Sequence, residues 1–542
     1  MPNEIRIDDT TKELSYGPSL SRRFWLWFWV WSWLSKLGSR PVLLFLVVAF
    51  AATVMLMYRP FSQMEGGDDA IWDYISQSIV RGQVPYRDVI ENKAPGAGYL
   101  SALMIEAGKL AGVRDVAAIR SGYVCLAGLL CVLTYLVAEA YFHSRLAAAL
   151  AFLVPLLSTD FAVMLISGTR PKLPMIVFGL CTLLLIAKDK PFWAGFCSML
   201  SCLCWQPGLL FTGTAVLIFS KYLLSWRDGR ALKVLAGASV PLLVTISYFY
   251  WIGALDELWK ATIDYNVRVY MPEGNLGAGV AAARLWHLMN EVMGTSILWV
   301  KLSAFGFLVF AIKQVWSKLR SLDGFMTQEL FKDALVIAPV VYLIFHVISY
   351  PGEDDLIPLF PFIGLFAAYL FLAVARLVGS VGFLRRKVPA IRFAGCLLVI
   401  PICLAIVPVV RRAATYRLEE GRTLAGQQRA FEAISDVLGR NDKIYVHGTL
   451  EILVLLNRQN MNPYILFSRG TDEYVSRKLP GGFGDLLRQM EAEAPKVISL
   501  SRLQQVLHKD ELLQWAAERY DKLPLEFAHD SVYVRKGRID GD

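Results

Sequence analysis

The chain has 542 residues, of which 55% are hydrophobic and only 19% charged, and its mean hydropathy is +0.45. Soluble domains average about 25% charged residues, so this composition excludes a purely soluble enzyme, a disordered chain and a coiled-coil or collagen-like protein. It indicates a membrane protein with many spans. Charged residues are sparse up to position 410 and frequent from 411 to 542, which predicts a water-soluble tail.

The net charge of +9 does not indicate a nucleic-acid partner. The basic residues gather in short connections between apolar segments, as the positive-inside rule requires, and no basic helix or aromatic-interleaved basic strand occurs. All eight cysteines lie inside apolar stretches, and the six histidines are scattered without a helical pair. We therefore expect no disulfide framework and no zinc or histidine-based metal site.

Residues 1–40 are expected to form a cytoplasmic N-terminus without a cleavable signal. Its segment 24–34 is rich in tryptophan and is followed by Lys36 and Arg40. Such a segment is typical of a helix in the headgroup layer, where indole N–H groups keep water while the rings are buried. The alternative is an extension of the first span.

A membrane domain is predicted over residues 41–410, with eleven apolar windows long enough to span. They fall at 41–58, 117–141, 146–162, 172–187, 191–206, 207–224, 234–252, 297–315, 333–350, 356–376 and 391–410. Segment 95–112 is interrupted by glycines and charges and is predicted to be a juxtamembrane or partly inserted helix. Five basic connections then all become cytoplasmic, so loops 59–116 and 253–296 and the tail lie outside.

The tail, residues 411–542, alternates β-rich runs with helical patterns, which predicts a small soluble α/β domain. Strands are predicted at 443–448, 463–467 and 496–500, helices at 449–457, 483–493 and 509–520, and a hairpin near 524–535. No nucleotide-binding glycine loop occurs, and we interpret the tail as a stabilising or docking cap without catalysis of its own. The fold class is an α-helical polytopic membrane protein with a C-terminal extracytoplasmic α/β domain.

Acids cluster directly after the first predicted span. Asp68 and Asp69 open a helix with apolar residues at helical spacing, and Arg87, Asp88 and Lys93 follow in the same loop. A single Asp at that place would be explained as an N-cap. A pair of carboxylates together with nearby cations offers a base for an acceptor hydroxyl and a binding site for a phosphate.

The order of motifs in this loop resembles the first extracytoplasmic loop of GT-C glycosyltransferases. The acidic pair is followed by an amphipathic helix, then by Gly82-x-x-Pro-Tyr-Arg-Asp88 and Asn92-Lys-Ala-Pro-Gly96. Within the superfamily the loop is most similar to family 39 and 83-like enzymes and protein O-mannosyltransferases. Where the family has Asp-Glu and Lys-Pro-Pro, this chain has Asp68-Asp69 and Lys93-Ala94-Pro95, and these departures keep the charge and the helix-starting proline.

The resemblance implies a polyprenyl-phosphate-linked sugar donor, a glycan, lipid or protein acceptor, and an acidic base just after the first span. Asp68 and Asp69 would be catalytic, and Lys93 and Arg87 would bind the donor phosphate. The family often has an acid at the outer start of the fourth span, where this chain has Arg170 and Lys172. These two either face the anionic donor or snorkel at the interface, and Asp160 could replace the acid.

Further candidates for substrate binding lie in the outer loops: Asp88, Asp160, Tyr265, Arg268 and Glu353. For the acids of the second and late loops, an ordinary solvated helix face or turn is an equally simple explanation. No cofactor is certain. A divalent metal is compatible with these acids but not implied by their spacing.

Two other functions fit eleven spans. A secondary transporter would place ionisable residues near the bilayer midplane and often shows two similar halves, whereas the predicted spans here are nearly free of charge. A polysaccharide polymerase or ligase of the other GT-C branch would use a similar donor but lacks the early acidic pair. We therefore expect a glycosyltransferase in the inner (plasma) membrane, with its site and tail extracytoplasmic.

Overall fold

A computed structural model of the chain describes residues 40–536, except 224–227, 271–276, 321–329, 349–351, 381–389, 420–421, 440, 449, 468–470, 478 and 524–530. The tryptophan-rich segment 24–34 therefore lies outside the described residues. Helices dominate as far as residue 437, and a small sheet follows.

The helices before the sheet are α1 (Arg40–Met57), α2 (Gly67–Val80), α3 (Gly96–Leu110), α4 (Asp115–Phe142), α5 (Arg145–Leu153), α6 (Thr159–Met164), α7 (Lys172–Ala187), α8 (Pro191–Cys204), α9 (Leu209–Phe219), α10 (Arg230–Trp251), α11 (Leu255–Trp259), α12 (Ala278–Met293), α13 (Ile297–Arg320), α14 (Ala334–Ile348), α15 (Phe360–Ser380), α16 (Ala390–Thr415) and α17 (Leu424–Val437). Two π-helical turns, Lys260–Asp264 and Asn266–Tyr270, continue α11.

Within the described residues, seven helical segments are long and apolar enough to cross a membrane. They are Pro41–Ser62, Asp115–Phe142, Arg230–Trp251, Ala278–Leu319, Leu330–Ile348, Glu353–Val378 and Leu397–Thr415. Four shorter apolar helices, Arg145–Leu157, Lys172–Ala187, Pro191–Cys204 and Gln206–Phe219, coincide with the other predicted spans. The chain is a multi-pass membrane protein, and the count of eleven crossings stays a prediction.

Glycines allow the membrane helices to approach closely. A Cβ atom on Gly195 in α8 would overlap the carbonyl oxygen of Val234 in α10, and one on Gly237 would overlap that of Phe192. Small residues at such crossings let two backbones pack directly, which replaces the hydrophobic driving force that is missing in lipid. These close approaches hold α8 directly against α10.

Two segments that were not predicted to span the membrane, 95–112 and 253–296, contain helices. The interrupted segment 95–112 forms the 15-residue helix α3, and its glycines pack closely, with Gly96 against the backbone of Leu203. The predicted loop 253–296 instead contains α12, which leads through a short turn into α13. The apolar residues of α12 continue those of α13, so the apolar helical segment begins at Ala278 and not at the predicted start of the span, residue 297.

The C-terminal region has a four-stranded sheet in the order β1 (Ile444–His447), β2 (Val497–Leu500), β4 (Ser531–Arg535) and β3 (Tyr520–Lys522). Strands β1 and β2 are parallel, and β4 is antiparallel to both of its neighbours. The helices are α18 (Glu451–Leu455), α19 (Thr471–Ser476), α20 (Phe483–Glu493) and α21 (Lys509–Arg519). Strands β1 and β2 and helices α18, α20 and α21 confirm the predicted pattern, whereas 463–467 is not a strand. Residues 524–530 of the predicted hairpin lie outside the described residues.

Helix α2 connects the membrane bundle to this sheet. Its apolar residues Ile71, Tyr74 and Ile75 share a buried cluster with Val446 of β1 and Ile452 of α18. Asn460 donates its backbone N–H to the Tyr74 hydroxyl at 2.8 Å. The start of α2 therefore lies between the membrane helices and the carboxyl ends of the parallel strands.

Candidate functional site

The acidic pair stands in the first turn of α2, as the sequence predicts. Gly67, which begins the helix, has a φ of +64°, a left-handed conformation that glycine adopts at little cost. Consecutive residues of an α-helix point about 100° apart, so the two carboxylates face different surroundings. Asp69 is buried, whereas the Asp68 side chain keeps 39% of its exposure.

Asp69 is held on two sides. Its carboxylate forms an ion pair with Arg170, with Nε to Oδ1 at 2.8 Å and Nη2 to Oδ2 at 3.1 Å. A Cβ atom at Gly168 would lie 2.8 Å from the Asp69 Cβ, so a glycine is required there for the two segments to meet. Of the two contacts, the one from Nη2 to Oδ2 is a hydrogen bond, and together with the ion pair it holds the buried carboxylate against Arg170.

Arg170 and Lys172 both meet carboxylates from the late loop. Arg170 also forms an ion pair with Asp354. The Lys172 Nζ lies 3.2 Å from Asp355 and 3.9 Å from Asp354, and 5.4 Å from the centre of the Trp205 ring. Lys172 is buried and Arg170 is mostly buried, and both are neutralised by acids. This explains them as parts of an ion-pair network rather than as snorkelling side chains.

Asp68 faces a cavity of about 270 Å³. Its Oδ1 accepts a hydrogen bond from Nη1 of Arg502 at 3.0 Å. The cavity is lined by Asp68, Ile71, Trp72, Glu91, Asn92, Lys93, Tyr270, Leu466, Arg502 and Gln504. The structure therefore brings together two predicted residues, Asp68 and Lys93, with a cation from the C-terminal region.

Lys93 is positioned by its neighbours. Its Nζ lies 5.4 Å from the centre of the Trp72 ring, and its carbonyl accepts a hydrogen bond from the Tyr86 hydroxyl at 2.9 Å. The carbonyl of the preceding Asn92 accepts from Gln206 at 2.8 Å. These contacts hold the lysine at the cavity wall, where its ammonium lies over the Trp72 ring and close enough to Asp68 to stabilise the ionised carboxylate.

The cations set the ionisation of Asp68. Burial alone would raise the pKa of this carboxyl, but Lys93, Lys172 and Arg502 outweigh burial and hold the pKa well below its usual value. Burial instead raises the pKa of Asp69 despite Arg170, and it raises the pKa of Asp73 to about 6. Asp68 is consequently the carboxylate of this helix that stays ionised and reaches open space.

Two site features were missed in the sequence. Asp73 lies one helical turn after Asp69 and accepts a hydrogen bond from the Thr169 N–H at 2.9 Å. Its spacing of four residues could have revealed it as part of the same face. Arg502 is more than 400 residues from Asp68 in the chain, so no local signal pointed to it.

The other candidates lie away from the cavity. Arg87 and Asp88 pair with each other at 2.9 Å, and both remain partly exposed. Tyr265 is buried against Tyr474, although its neighbour Tyr270 does line the cavity. Three further side chains are exposed: Asp160, Glu353 and Arg268, which pairs with Asp264 at 2.6 Å. In the described parts of the chain, no group of three or more His, Cys, Asp or Glu residues is placed to hold a metal ion.

No protein-family model and no curated protein sequence matches the chain. Solved structures with a similar fold do match it. ArnT from Cupriavidus metallidurans bound to undecaprenyl phosphate aligns with a TM-score of 0.61 at 13% identity, covering 93% of this chain and all of that one. The oligosaccharyltransferase AglB from Archaeoglobus fulgidus, in complex with an inhibitory peptide and a dolichol-phosphate, aligns with a TM-score of 0.52 at 12% identity, covering 91% of this chain and 74% of that one. The chain therefore shares the fold of these two structures, which agrees with the membrane fold that the first loop implied.

Proposed function

We propose that the chain is a membrane glycosyltransferase that transfers a sugar from a polyprenyl-phosphate-linked donor to a glycan, lipid or protein acceptor. The observation that carries this proposal is the placement of Asp68 and Lys93 on one cavity at the edge of the membrane helices. Two structures of similar fold, bound to undecaprenyl phosphate and to a dolichol-phosphate, support the donor class.

The reaction needs one base and one or more cations. The acceptor hydroxyl attacks the anomeric carbon, its proton passes to Asp68, and the bond from that carbon to the phosphate oxygen breaks. The phosphate leaves with the electron pair and is stabilised by Lys93. Direct attack with a single base predicts inversion at the anomeric carbon.

Asp69 has a different part in this proposal. Because Asp69 is buried and Arg170 holds its carboxylate, Asp69 positions the start of α2 and links it to Asp354 through the same guanidinium. Arg170 and Lys172 then support the acids around the cavity. Lys93 is left as the cation of the first loop that faces the donor phosphate.

Localisation and domains follow from the same proposal. The cavity and the C-terminal region share one side of the membrane, because Arg502 contacts Asp68 directly. We propose that this side lies outside the cytoplasm, as the positive-inside rule predicts, and that the protein resides in the inner (plasma) membrane. The domain limits proposed from the sequence, 41–410 for the membrane part and 411–542 for the tail, are kept.

The test is the substitution Asp68→Asn. Asparagine keeps the volume and the ability to cap the helix but cannot accept the proton, so the fold should persist. Loss of a positioned base should lower the transfer rate by about 10²–10⁴-fold. The assay measures sugar transfer from a lipid-phosphate-linked donor by purified protein.

Asp69→Asn is the matched comparison. It should lower thermal stability because it leaves the buried Arg170 with less compensation. If Asp69→Asn alone abolished transfer while Asp68→Asn stayed active, the base would be Asp69. Full activity of both variants would refute the mechanism.

A further inference from the structure

Arg502 stands immediately after β2, at the carboxyl edge of the parallel strand pair. The end of β2 is fastened to β1: the Ser501 N–H donates to the His447 carbonyl at 3.0 Å, and His447 Nδ1 lies 3.0 Å from the Ser501 carbonyl. His447 is fully buried. In open α/β sheets, ligands bind outside the carboxyl ends of parallel strands, and Arg502 occupies that place.

The backbone of Arg502 is in a strained conformation. Its φ is +51°, in the left-handed region that costs a residue with a Cβ atom about 1–2 kcal/mol. Such residues persist where the direction of the side chain matters, and they cluster at functional sites. Here the conformation directs the guanidinium into the cavity that Asp68 and Lys93 share.

The ion pair of Arg502 differs from the others in the cluster. Arg170 and Lys172 are buried between Asp69, Asp354 and Asp355. Among the residues that the structure describes, Arg502 has an ion pair with Asp68 alone, and their side chains keep 35% and 39% exposure. A water-accessible pair of this kind contributes little free energy, so its partners can exchange at low cost.

We propose that Arg502 is a second ligand of the donor phosphate, supplied by the C-terminal region, and that it leaves Asp68 for the phosphate when the donor binds. This inference rests on the proposed function. A guanidinium binds phosphate through two parallel hydrogen bonds, which a single carboxylate oxygen does not match. The tail is then part of the donor site and not only a cap.

The exchange has a chemical consequence for Asp68. The charged groups that face this carboxylate are Lys93, Lys172, Arg170 and Arg502, together with the acid Glu91. Moving Arg502 to the phosphate removes one stabilising cation, so the pKa of Asp68 rises toward its ordinary value. Donor binding thereby makes Asp68 a stronger base when a proton has to be accepted.

The first experiment measures binding of undecaprenyl phosphate to the purified full-length protein. Arg502→Ala should weaken binding at least about tenfold, because a charge-assisted hydrogen bond to phosphate is lost. Alanine meets the same backbone strain as arginine, since both carry a Cβ atom. Arg502→Lys should recover part of the affinity, and Arg477→Ala, which removes an exposed arginine paired with Glu473, should change nothing.

A double-mutant cycle with Asp68→Asn tests the exchange itself. Removing the Asp68 charge should tighten lipid-phosphate binding, because Arg502 no longer has to leave a partner. In the Arg502→Ala background this gain should be smaller, because only the relief of repulsion between Asp68 and the phosphate remains. A gain of equal size in both backgrounds would show that Asp68 acts only by repelling the phosphate, and it would overturn the exchange.

The outcomes separate this inference from the proposed function. Binding that does not depend on Arg502, in variants with unchanged thermal unfolding, would overturn only the inference. Transfer activity that survives Asp68→Asn would overturn the proposed mechanism. The binding of undecaprenyl phosphate to the Arg502 variants would still test whether Arg502 binds the phosphate. Failure of the wild-type protein to bind undecaprenyl phosphate would contradict both.

Discussion

Asp68 and Asp69 are neighbours in the chain, yet their carboxylates lie in different surroundings. Asp69 is buried against Arg170 and Gly168, whereas Asp68 reaches a cavity with three cations nearby. Pairs of acids whose environments differ in this way usually have different roles. At the scale of the residue, the rotation of about 100° between neighbouring helical positions is what separates the two side chains.

The role of Lys93 can be measured separately. Lys93→Ala should weaken binding of a polyprenyl phosphate more than it lowers thermal stability, because the ammonium lies beside an aromatic ring and the open space of the cavity. Lys109→Ala is the control, since Lys109 is exposed on α3 and pairs only locally with Glu106. Unchanged lipid binding in Lys93→Ala would move the phosphate site to Arg170 or Lys172.

At the scale of the element, the connection between α1 and α2 is organised by one arginine. Arg120 of α4 is fully buried and donates to the carbonyls of Pro60 at 2.8 Å and Gln63 at 2.7 Å. It also pairs with the buried Glu65 at 2.8 Å. Gln427 of α17 exchanges two hydrogen bonds with the Glu65 backbone, so the C-terminal region holds the same connection.

Breaking the buried ion pair between Arg120 and Glu65 should destabilise the protein. Arg120→Met leaves Glu65 buried without its partner and should lower the free energy of unfolding by about 3–5 kcal/mol. Thermal unfolding in detergent gives the measurement, with Ser121→Ala, exposed on the same helix, as the control.

Adding Glu65→Leu to Arg120→Met should recover part of the loss, since no charge then remains unpaired. The recovery cannot be complete because the backbone carbonyls still lack their donor. Additive losses in the double variant would contradict this interpretation of the pair.

At the scale of the whole molecule, sidedness is the open prediction. Residues 411–542 should lie outside the cytoplasm, because five basic connections are expected inside. A cysteine at Lys509, exposed on α21, should react with an impermeant thiol reagent in intact cells, and one at Lys188 should not. The native protein, whose eight cysteines lie in apolar segments, is the background control.

If the cysteine at position 188 were labelled and the one at position 509 were not, the topology would be the reverse of the predicted one. It would place the cavity and the proposed donor site in the cytoplasm, because Arg502 and Asp68 are in contact.

The sequence by itself determined the membrane class, the positions of the apolar helices, the helix that begins at the acidic pair and most elements of the tail. These features follow from local composition and periodicity, which act over a few residues. Even there, segment 463–467 failed to form a strand and α12 extended into a predicted loop, because tertiary contacts override local preference.

The tertiary structure alone decided which charges meet. Arg170 and Lys172 stand among basic and apolar neighbours in the chain, and only folding brings Asp354 and Asp355 to neutralise them. Likewise, Arg502 reaches Asp68 only because α2 packs against β1 and α18. Coulomb interactions depend on distance in space and on burial, and neither can be calculated from positions far apart in the chain.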